Sequence, residues 1–147
     1  MLYLKREVIL VAMTLDEIYE LFIWDELYTD EEYEARCAKG INEAKKYKYI
    51  YPFIQPVIPE KSKWIWEPCA KVVASKTDEE LVPYLFLLLE WLKDINWPGA
   101  QIIFDRLTEI PFSILEGNYN LCKRQAEHEN DTMWLMALKA FEKQVRG

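Results

Sequence analysis

Apolar residues recur at intervals of three and four along most of this chain, which is the spacing that places side chains on one face of an α-helix. The apolar stripes are Leu15, Ile18, Tyr19 and Phe22; Tyr33, Cys37, Ile41 and Ala44; Ile65, Cys69, Val72 and Val73; Ala100, Ile103, Phe104 and Leu107; Leu115, Tyr119, Cys122 and Ala126; and Trp134, Ala137, Leu138 and Phe141. The pattern predicts an all-α fold in which amphipathic helices cover one another.

Threonine and glutamate stand three residues apart where three of these helices should begin. In such a capping box, the threonine oxygen and the glutamate carboxylate each accept a hydrogen bond from the other residue's backbone N–H. The pairs are Thr14 with Glu17, Thr29 with Glu32, and Thr77 with Glu80. We expect the first helix to end near Leu27. Glycine inside a helix costs about 1 kcal/mol relative to alanine, so Gly40 should lie in close contact with a neighbouring element.

Residues 85–92 are apolar on nearly every side, with a single glutamate as the only charge. That composition predicts a central helix covered by its neighbours. Pro83 predicts a short turn before this helix, which should restart at the proline. The central helix should end near Asp94, with Asn96 as the N-cap and Pro98 in the first turn of the next helix.

Prolines and capping residues mark further breaks between helices. The predicted marks are Pro68 before a helix that ends near Ser75, Pro111 between two later helices, Gly117-Asn118 as an interruption, and Asn130 or Asp131 as the cap of the last helix. Short helices joined by brief loops indicate antiparallel neighbours stacked in pairs. We therefore expect a HEAT-like or armadillo-like layered arrangement, although the sequence shows no clean repeat.

The chain is expected to form a single helical domain over residues 1–147. Three prolines and several apolar residues indicate that residues 51–61 form a linker lying against the helices. Residues 1–50 would then be an N-terminal helical extension, and residues 62–147 the helical core. The apolar residues before the first capping box suit either a short N-terminal strand or a buried helical turn; they are Val8, Ile9 and Val11.

Composition limits the classes of function. Of the 147 residues, 51% are hydrophobic and 14% aromatic, which is too rich for a disordered chain. The net charge of -7 argues against a nucleic-acid surface, because phosphate affinity depends on lysine and arginine. The longest uncharged apolar run, residues 81–89, is too short to cross a membrane, and the run at residues 8–13 is too short for a secretory signal. A cytoplasmic location is expected.

The sequence offers no catalytic set, metal-ligand set or cofactor motif. The three cysteines are far apart and are expected to be reduced core residues; they are Cys37, Cys69 and Cys122. His128 stands between two glutamates, and adjacent helical positions point in different directions, so the three side chains should not converge on a metal. Glycine-rich phosphate loops, HExxH and GxSxG are absent.

Residues 85–100 read LFLLLEWLKDINWPGA, in which two tryptophans, an aspartate, an asparagine and a proline stand at fixed spacing. This stretch resembles the LLEWLxDxNWPxA signature of a family of small bacterial helical proteins, a domain of unknown function. The likeness extends to residues 58–61, 81–83 and 130–134, and so covers roughly residues 58–145. Gly99 after the proline departs from the family pattern. The resemblance implies a helical fold and assigns no reaction.

The corner after the central helix holds the candidate binding residues Asp94, Asn96, Trp97 and Trp91. Asp94 opposes the dipole at the C-terminus of its helix and needs a compensating interaction. It either accepts hydrogen bonds from the first N–H groups of the next helix or binds a partner. Trp91 and Trp97 either pack the corner or stack on a ligand.

The leading functional hypothesis is a non-catalytic helical protein-binding module. Its acidic and aromatic surface would recognise a protein partner, and the charge favours a basic one. One version is an immunity-type protein that neutralises a bacterial toxin. An alternative is a small enzyme with a groove near Asp94, Asn96 and Trp97, in which Asp94 acts as acid or base. A further alternative is a homo-oligomeric structural protein, a homodimer in which the aromatic linker covers a second copy.

Overall fold

The computed structural model describes residues 13–58 and 62–147, and the chain is all-α over those residues. The helices are α1 (Leu15–Phe22), α2 (Asp30–Ala44), α3 (Ser62–Ala74), α4 (Asp78–Leu81), α5 (Leu85–Glu90), α6 (Ala100–Thr108), α7 (Phe112–His128) and α8 (Thr132–Arg146), with 3₁₀ turns at Tyr51–Phe53, Val82–Tyr84 and Trp91–Lys93. The predicted all-α class is confirmed. The predicted strand around Val8, Ile9 and Val11 lies outside the described residues.

All three capping boxes form as the sequence predicts. The hydroxyl oxygens of the threonines accept hydrogen bonds from the backbone N–H groups three residues later, and the glutamate carboxylates accept from the threonine N–H groups. The three pairs are Thr14 with Glu17 at 3.1 Å, Thr29 with Glu32 at 3.1 Å, and Thr77 with Glu80 at 3.2 Å between the threonine oxygen and the glutamate nitrogen. These local signals fix where α1, α2 and α4 begin.

The end of α1 differs from the prediction. The helix stops at Phe22 rather than near Leu27, because Ile23 turns to extended backbone with ψ 124°. Side chains of α2 bind carbonyl groups at this helix end: Tyr33 Oη donates to the Phe22 carbonyl at 2.7 Å, and Arg36 Nη2 donates to the Glu20 carbonyl at 2.9 Å. These contacts come from a distant part of the chain, so the spacing of apolar residues could not show them.

The close contact predicted at Gly40 is confirmed. A Cβ atom at this position would lie 2.5 Å from Cε1 of Phe22, which is fully buried. The absence of a side chain on α2 therefore lets the end of α1 pack directly against it.

Helix α3 begins at Ser62 and continues through Pro68, whereas the sequence pattern indicated a helix starting after that proline. Proline removes one backbone hydrogen bond from the helix interior at a cost of about 3 kcal/mol. Ile65, Cys69 and Val72 on the same helix are fully buried, and burial of each such side chain contributes about 1.5–3 kcal/mol. Packing therefore outweighs the local penalty and keeps α3 helical.

The core is organised around α5, as predicted. No residue from Leu85 to Lys93 is exposed, and Leu88, Leu89 and Leu92 are almost completely buried. Helix α7 packs against α5, while α6 and α8 pack against the Trp91–Lys93 turn that follows it. The short turn predicted at Pro83 is the Val82–Tyr84 turn, and the helix restarts at Leu85.

The interruption predicted at Gly117 and Asn118 is wrong. Helix α7 runs without interruption through Gly117 and Asn118, because Leu115, Tyr119 and Cys122 keep one face of it in the core. The last helix is capped by Asp131, whose carboxylate accepts from the backbone N–H of Trp134 at 3.0 Å.

On the N-terminal side of the fold, α3 lies between the α1–α2 pair and α6. The aromatic segment before α3 packs onto these helices: Phe53 is fully buried, Tyr19 Oη donates to the Pro52 carbonyl, and Trp66 Nε1 donates to the Pro56 carbonyl. None of the helices in the described ranges has the length and apolar character needed to cross a membrane.

Candidate functional site

The corner that follows the central helix is stabilised by hydrogen bonds within the turn itself. Asp94 Oδ1 accepts a hydrogen bond from the Asn96 N–H at 2.9 Å, and the Asp94 carbonyl accepts from the Trp97 N–H at 2.9 Å. Asp94 therefore stabilises the turn in which it lies. The hydrogen bonds predicted from α6 to this carboxylate do not form. Helix α6 begins at Ala100, so the predictions of Asn96 as its N-cap and Pro98 in its first turn are wrong.

Gly99 explains the different start of α6. It occupies the N-cap position with φ 85°, a left-handed conformation that glycine adopts without steric cost. A Cβ atom at Gly99 would lie 2.7 Å from the Cβ of Ala70 and 2.9 Å from the carbonyl oxygen of Trp66. The absence of a side chain at Gly99 therefore lets the corner rest on α3.

Trp91 and Trp97 each pack against Trp66 beneath this corner. Trp91 is fully buried and donates through Nε1 to the Pro98 carbonyl at 3.2 Å. The ring of Trp66 meets Trp91 edge-on with centroids 6.4 Å apart, and it meets Trp97 edge-on at 5.7 Å. Of the four sequence candidates, Asp94, Asn96 and Trp97 thus lie together in one packed corner, and Trp91 lies inside the core.

A groove of about 400 Å³ opens elsewhere, between α2 and α3. We call it the α2–α3 groove; its lining residues are Tyr33, Glu34, Cys37, Ala38 and Ile41 of α2 and Glu67, Pro68 and Lys71 of α3. None of the four corner candidates is among them. Helix α2 packs against both α1 and α3, and Gly40 is its point of close contact with Phe22 of α1.

The charges of the α2–α3 groove are open to a partner. Glu34, Glu67 and Lys71 are exposed. Among the described residues, the carboxylates of Glu34 and Glu67 take part in none of the ion pairs or hydrogen bonds that the structure forms. An exposed carboxylate without a partner remains hydrated and can exchange water for a cationic group.

The phenol and thiol of the groove are poor nucleophiles. Burial raises the pKa of the Cys37 thiol, although a hydrogen bond with Tyr33 and the positive charges of Lys71 and Arg36 oppose the rise. Burial also raises the pKa of Tyr33. Tyr33 Oη also donates to the Phe22 carbonyl, so its position is fixed. Because the thiolate is the reactive form of cysteine, the groove is better suited to binding than to covalent chemistry.

Two exposed tryptophans outside the groove lining stack where the segment after α1 meets the start of α3. The rings of Trp24 and Trp64 stack with centroids 5.4 Å apart and an angle of 12° between their planes. Trp24 is 40% exposed and Trp64 is 53% exposed. Trp64, Glu67 and Lys71 stand at i, i+3 and i+7, so helix geometry places them on one face of α3.

Sequence reasoning missed this site. The available signal was that Trp64 and Glu67 lie off the apolar stripe of α3, which predicts an exposed tryptophan beside a carboxylate on the solvent side. The pairing of α2 with α3 could not be read from local spacing, because the two helices are separated by the aromatic segment.

Over the described residues, no group of three or more histidine, cysteine, aspartate or glutamate side chains is arranged to hold a metal ion. Comparison with curated proteins and with solved structures found no match. The family described as "Domain of unknown function (DUF5071)" matches residues 61–146, which include α3 to α8, and this confirms the family resemblance predicted from residues 85–100. Since the match covers more than half of the sequence, the chain belongs to the DUF5071 family.

Proposed function

We propose that the protein is a non-catalytic protein-binding module whose α2–α3 groove binds a basic segment of a protein partner. The observation that carries the proposal is that Glu34 and Glu67, whose carboxylates are unpaired, line the groove, while the exposed Trp24–Trp64 pair stands outside the lining on the face of α3 that also carries Glu67. Aromatic faces and carboxylates are the two groups that bind lysine and arginine side chains best.

The charge around the groove supports a basic partner. The chain carries a net charge of -7, and the first turn of α2 adds Asp30, Glu31 and Glu32 next to the lining residues Tyr33 and Glu34. Two carboxylates and one cation, Lys71, line the groove, so negative charge is in excess there. An excess of one sign of charge accelerates the approach of an oppositely charged protein and disfavours like-charged ones. The partner would therefore associate quickly at low salt and more slowly as salt screens the attraction.

The tryptophans support a protein rather than a small ion as the partner. Trp is enriched among the residues that contribute most to protein–protein affinity, because it offers a large rigid surface. Faces of stacked helix pairs are a common binding surface in helical-repeat proteins, and a HEAT-like layering of these helices is part of our proposal. In the immunity-type version, the basic segment belongs to a bacterial toxin whose site the bound protein blocks.

Titration with a hexa-arginine peptide tests the groove directly. We expect the double variant Glu34→Gln/Glu67→Gln to weaken binding by about tenfold, since two cation contacts of roughly 0.5–1 kcal/mol each are lost. Glu116→Gln/Glu127→Gln is the matched control, because these exposed glutamates of α7 give the same change in net charge away from the groove. Equal weakening by both double variants would show that binding is diffuse and that the groove is not the site.

The aromatic part of the proposal has its own variant. Trp64→Ala should weaken hexa-arginine binding several-fold without a large change in melting temperature, because the side chain is 53% exposed.

For the immunity-type version, a toxin isolated with the wild-type protein should be inhibited by it and much less by Glu34→Gln/Glu67→Gln. Equal inhibition by the wild-type protein and the variant would contradict that version.

A further inference from the structure

A second groove of about 460 Å³ lies between α6 and α8 and shares no lining residue with the α2–α3 groove. Gln101 and Phe104 line it on the α6 side, and Met133 and Met136 line it on the α8 side; we call it the methionine groove. Met133 is 55% exposed and Met136 is 71% exposed. Methionine is flexible and polarisable, and exposed methionines are typical of surfaces that bind another protein.

The spacing along α8 indicates a helix as the occupant of this groove. Met133, Met136 and Ala140 stand at i, i+3 and i+7, the repeat by which one helix packs against another. Ala137 and Ala140 also line the groove, and their small side chains leave room for a second backbone to approach. An amphipathic helix laid into an apolar groove is a recurrent mode of recognition.

Two lysines continue the line of Met136 along α8. Lys139 and Lys143 follow Met136 at i+3 and i+7, so helix geometry places them with it on the α8 edge of the groove. Both lysines are exposed. Among the described residues, neither ammonium group takes part in an ion pair or a hydrogen bond.

The other charged side chains that the structure describes on α6 and α8 have partners within the chain. The pairs are Asp105 with Gln101 at 2.8 Å, Arg106 with Asp78 at 2.7 Å, and Glu142 with Arg146 at 3.3 Å. None of the described residues that line the groove is charged. The charge left without a partner on these two helices is therefore positive, although the whole chain carries -7.

We propose that the methionine groove binds an amphipathic helix of a partner protein, with the apolar stripe of that helix on the methionines and an acidic flank facing Lys139 and Lys143. The two lysines are one turn apart, about 6 Å along the helix axis. Carboxylates four positions apart on the bound helix have the same spacing. Asp105 carries its negative charge on α6, which directs the acidic flank towards α8.

Titration with two designed peptides tests the choice of occupant. Each is a helix of about 15 residues with leucines at i, i+3, i+4 and i+7. One peptide carries glutamates four positions apart on a single flank, and the other carries glutamines at the same positions. We expect the glutamate peptide to bind about tenfold more tightly, because only its carboxylates pair with the lysines. Equal affinities, or no binding of either peptide, would overturn the proposal.

The lysines have their own pair of variants. Lys139→Gln/Lys143→Gln should weaken binding of the glutamate peptide about tenfold and leave the affinity for the glutamine peptide unchanged, which assigns the effect to the charge pairs. Lys39→Gln/Lys63→Gln is the matched control, because it removes the same charge at exposed positions of α2 and α3. Equal weakening by the two double variants would show that the lysines of α8 do not select the acidic flank.

The apolar part of the groove is tested by Met133→Gln/Met136→Gln, which should weaken both peptides by at least about tenfold. Ile114→Gln/Leu121→Gln is the control, because it changes two exposed apolar residues of α7 in the same way. Circular dichroism should show that both variants are folded. Unchanged binding by the methionine variant would place the peptides elsewhere and contradict the proposal.

Sedimentation equilibrium of the wild-type protein tests the competing occupant, a second copy of the chain. We expect no self-association through this groove. A dimer that Met133→Gln/Met136→Gln dissociates would make the second copy the occupant and overturn the proposal. The hexa-arginine titration is independent of these outcomes, since it concerns a groove with other lining residues.

Discussion

The ammonium group of Lys76 donates a hydrogen bond to the backbone carbonyl of Tyr47 at 2.8 Å, across 29 positions of the chain. The same nitrogen donates to the Lys45 carbonyl at 2.9 Å, and the side chain is only 8% exposed. Both carbonyls lie just beyond the end of α2, where the helix dipole places partial negative charge. A lysine of the family-matched segment thus binds the helix end that positions one wall of the α2–α3 groove.

Lys76→Met should therefore lower the free energy of unfolding by about 3 kcal/mol. Hydrogen bonds that involve a charged group contribute roughly 1.5–3 kcal/mol each, and the substitution leaves two carbonyls without this donor. Urea unfolding followed by circular dichroism measures the change. Lys63→Met on α3 is the control, because that lysine is exposed and should change stability by less than about 0.5 kcal/mol. Equal free energies of unfolding of the two variants would show that the buried ammonium group does not stabilise the fold.

The contrast between Lys76 and the capping threonines shows which parts of the fold the sequence can predict. Thr14 and Thr77 bond to residues three positions away, so their role is visible in any short stretch of sequence. Lys76 bonds to residues that follow α2, and its position is known only when α2 lies beside α3. The three starts marked by capping boxes and the apolar faces were therefore predictable, whereas the starts of α3 and α6, the end of α1 and the buried cation were not.

Arg106 repeats this arrangement at the next helix end. Its Nε donates to the carbonyl of Ala74, the last residue of α3, at 3.1 Å. Its Nη2 donates to the Lys76 carbonyl at 2.9 Å and to Asp78 Oδ1 at 2.7 Å. One guanidinium group therefore connects α6 with the end of α3, the following loop and the start of α4.

Arg106→Lys should lower the free energy of unfolding by about 2 kcal/mol, although the charge is kept. A single ammonium cannot reproduce the planar set of donors that binds three acceptors at once. Most of the loss should come from the two carbonyls, because Asp78 is partly exposed and its ion pair is screened by water. Arg124→Lys at an exposed position of α7 is the control, and urea unfolding of both variants checks the prediction.

Gly40 and Gly117 should respond in opposite ways to substitution by alanine. At Gly40 the new methyl group would collide with Cε1 of the buried Phe22 ring at 2.5 Å, and overpacking of this kind costs about 1–3 kcal/mol. A Cβ atom added at Gly117 would point into open space, so alanine should stabilise the helix by about 0.5–1 kcal/mol through its higher propensity. Thermal unfolding of the two variants tests the pair; a similar change in both would contradict the packing contact.

The candidate site shows the same limit of sequence prediction. Asp94, Asn96 and Trp97 were expected together because they are neighbours in sequence, and the structure places them in one corner. Trp24 and Trp64 are 40 positions apart in the numbering and meet only after α3 has docked on the N-terminal helices. The sequence of a single helix could suggest an exposed tryptophan but not the second one stacked on it.

Alkaline pH should destabilise the protein through groups that burial keeps protonated. Burial raises the pKa of the Cys122 thiol from 9.0 to about 12, with the nearby Glu90 carboxylate adding to the shift, and burial raises the pKa of Tyr19 from 10.0 to about 12. The unfolded chain releases these protons first as pH rises. The contribution of the buried Cys122 thiol to the free energy of unfolding is therefore fully present below pH 9.0, and it is lost as pH rises through about 12.

Urea unfolding at a series of pH values between neutral and strongly alkaline measures this loss, and the free energy of unfolding should begin to fall as the thiol of the unfolded chain ionises. Cys122→Ala removes one of the groups that burial keeps protonated, so the stability of the variant should fall less steeply over the same pH range. The variant starts from a lower stability at neutral pH, because a buried side chain has been shortened. If the slope against pH were the same in both proteins, Cys122 would not be a source of the alkaline sensitivity, and its thiol would titrate alike in the folded and unfolded chains.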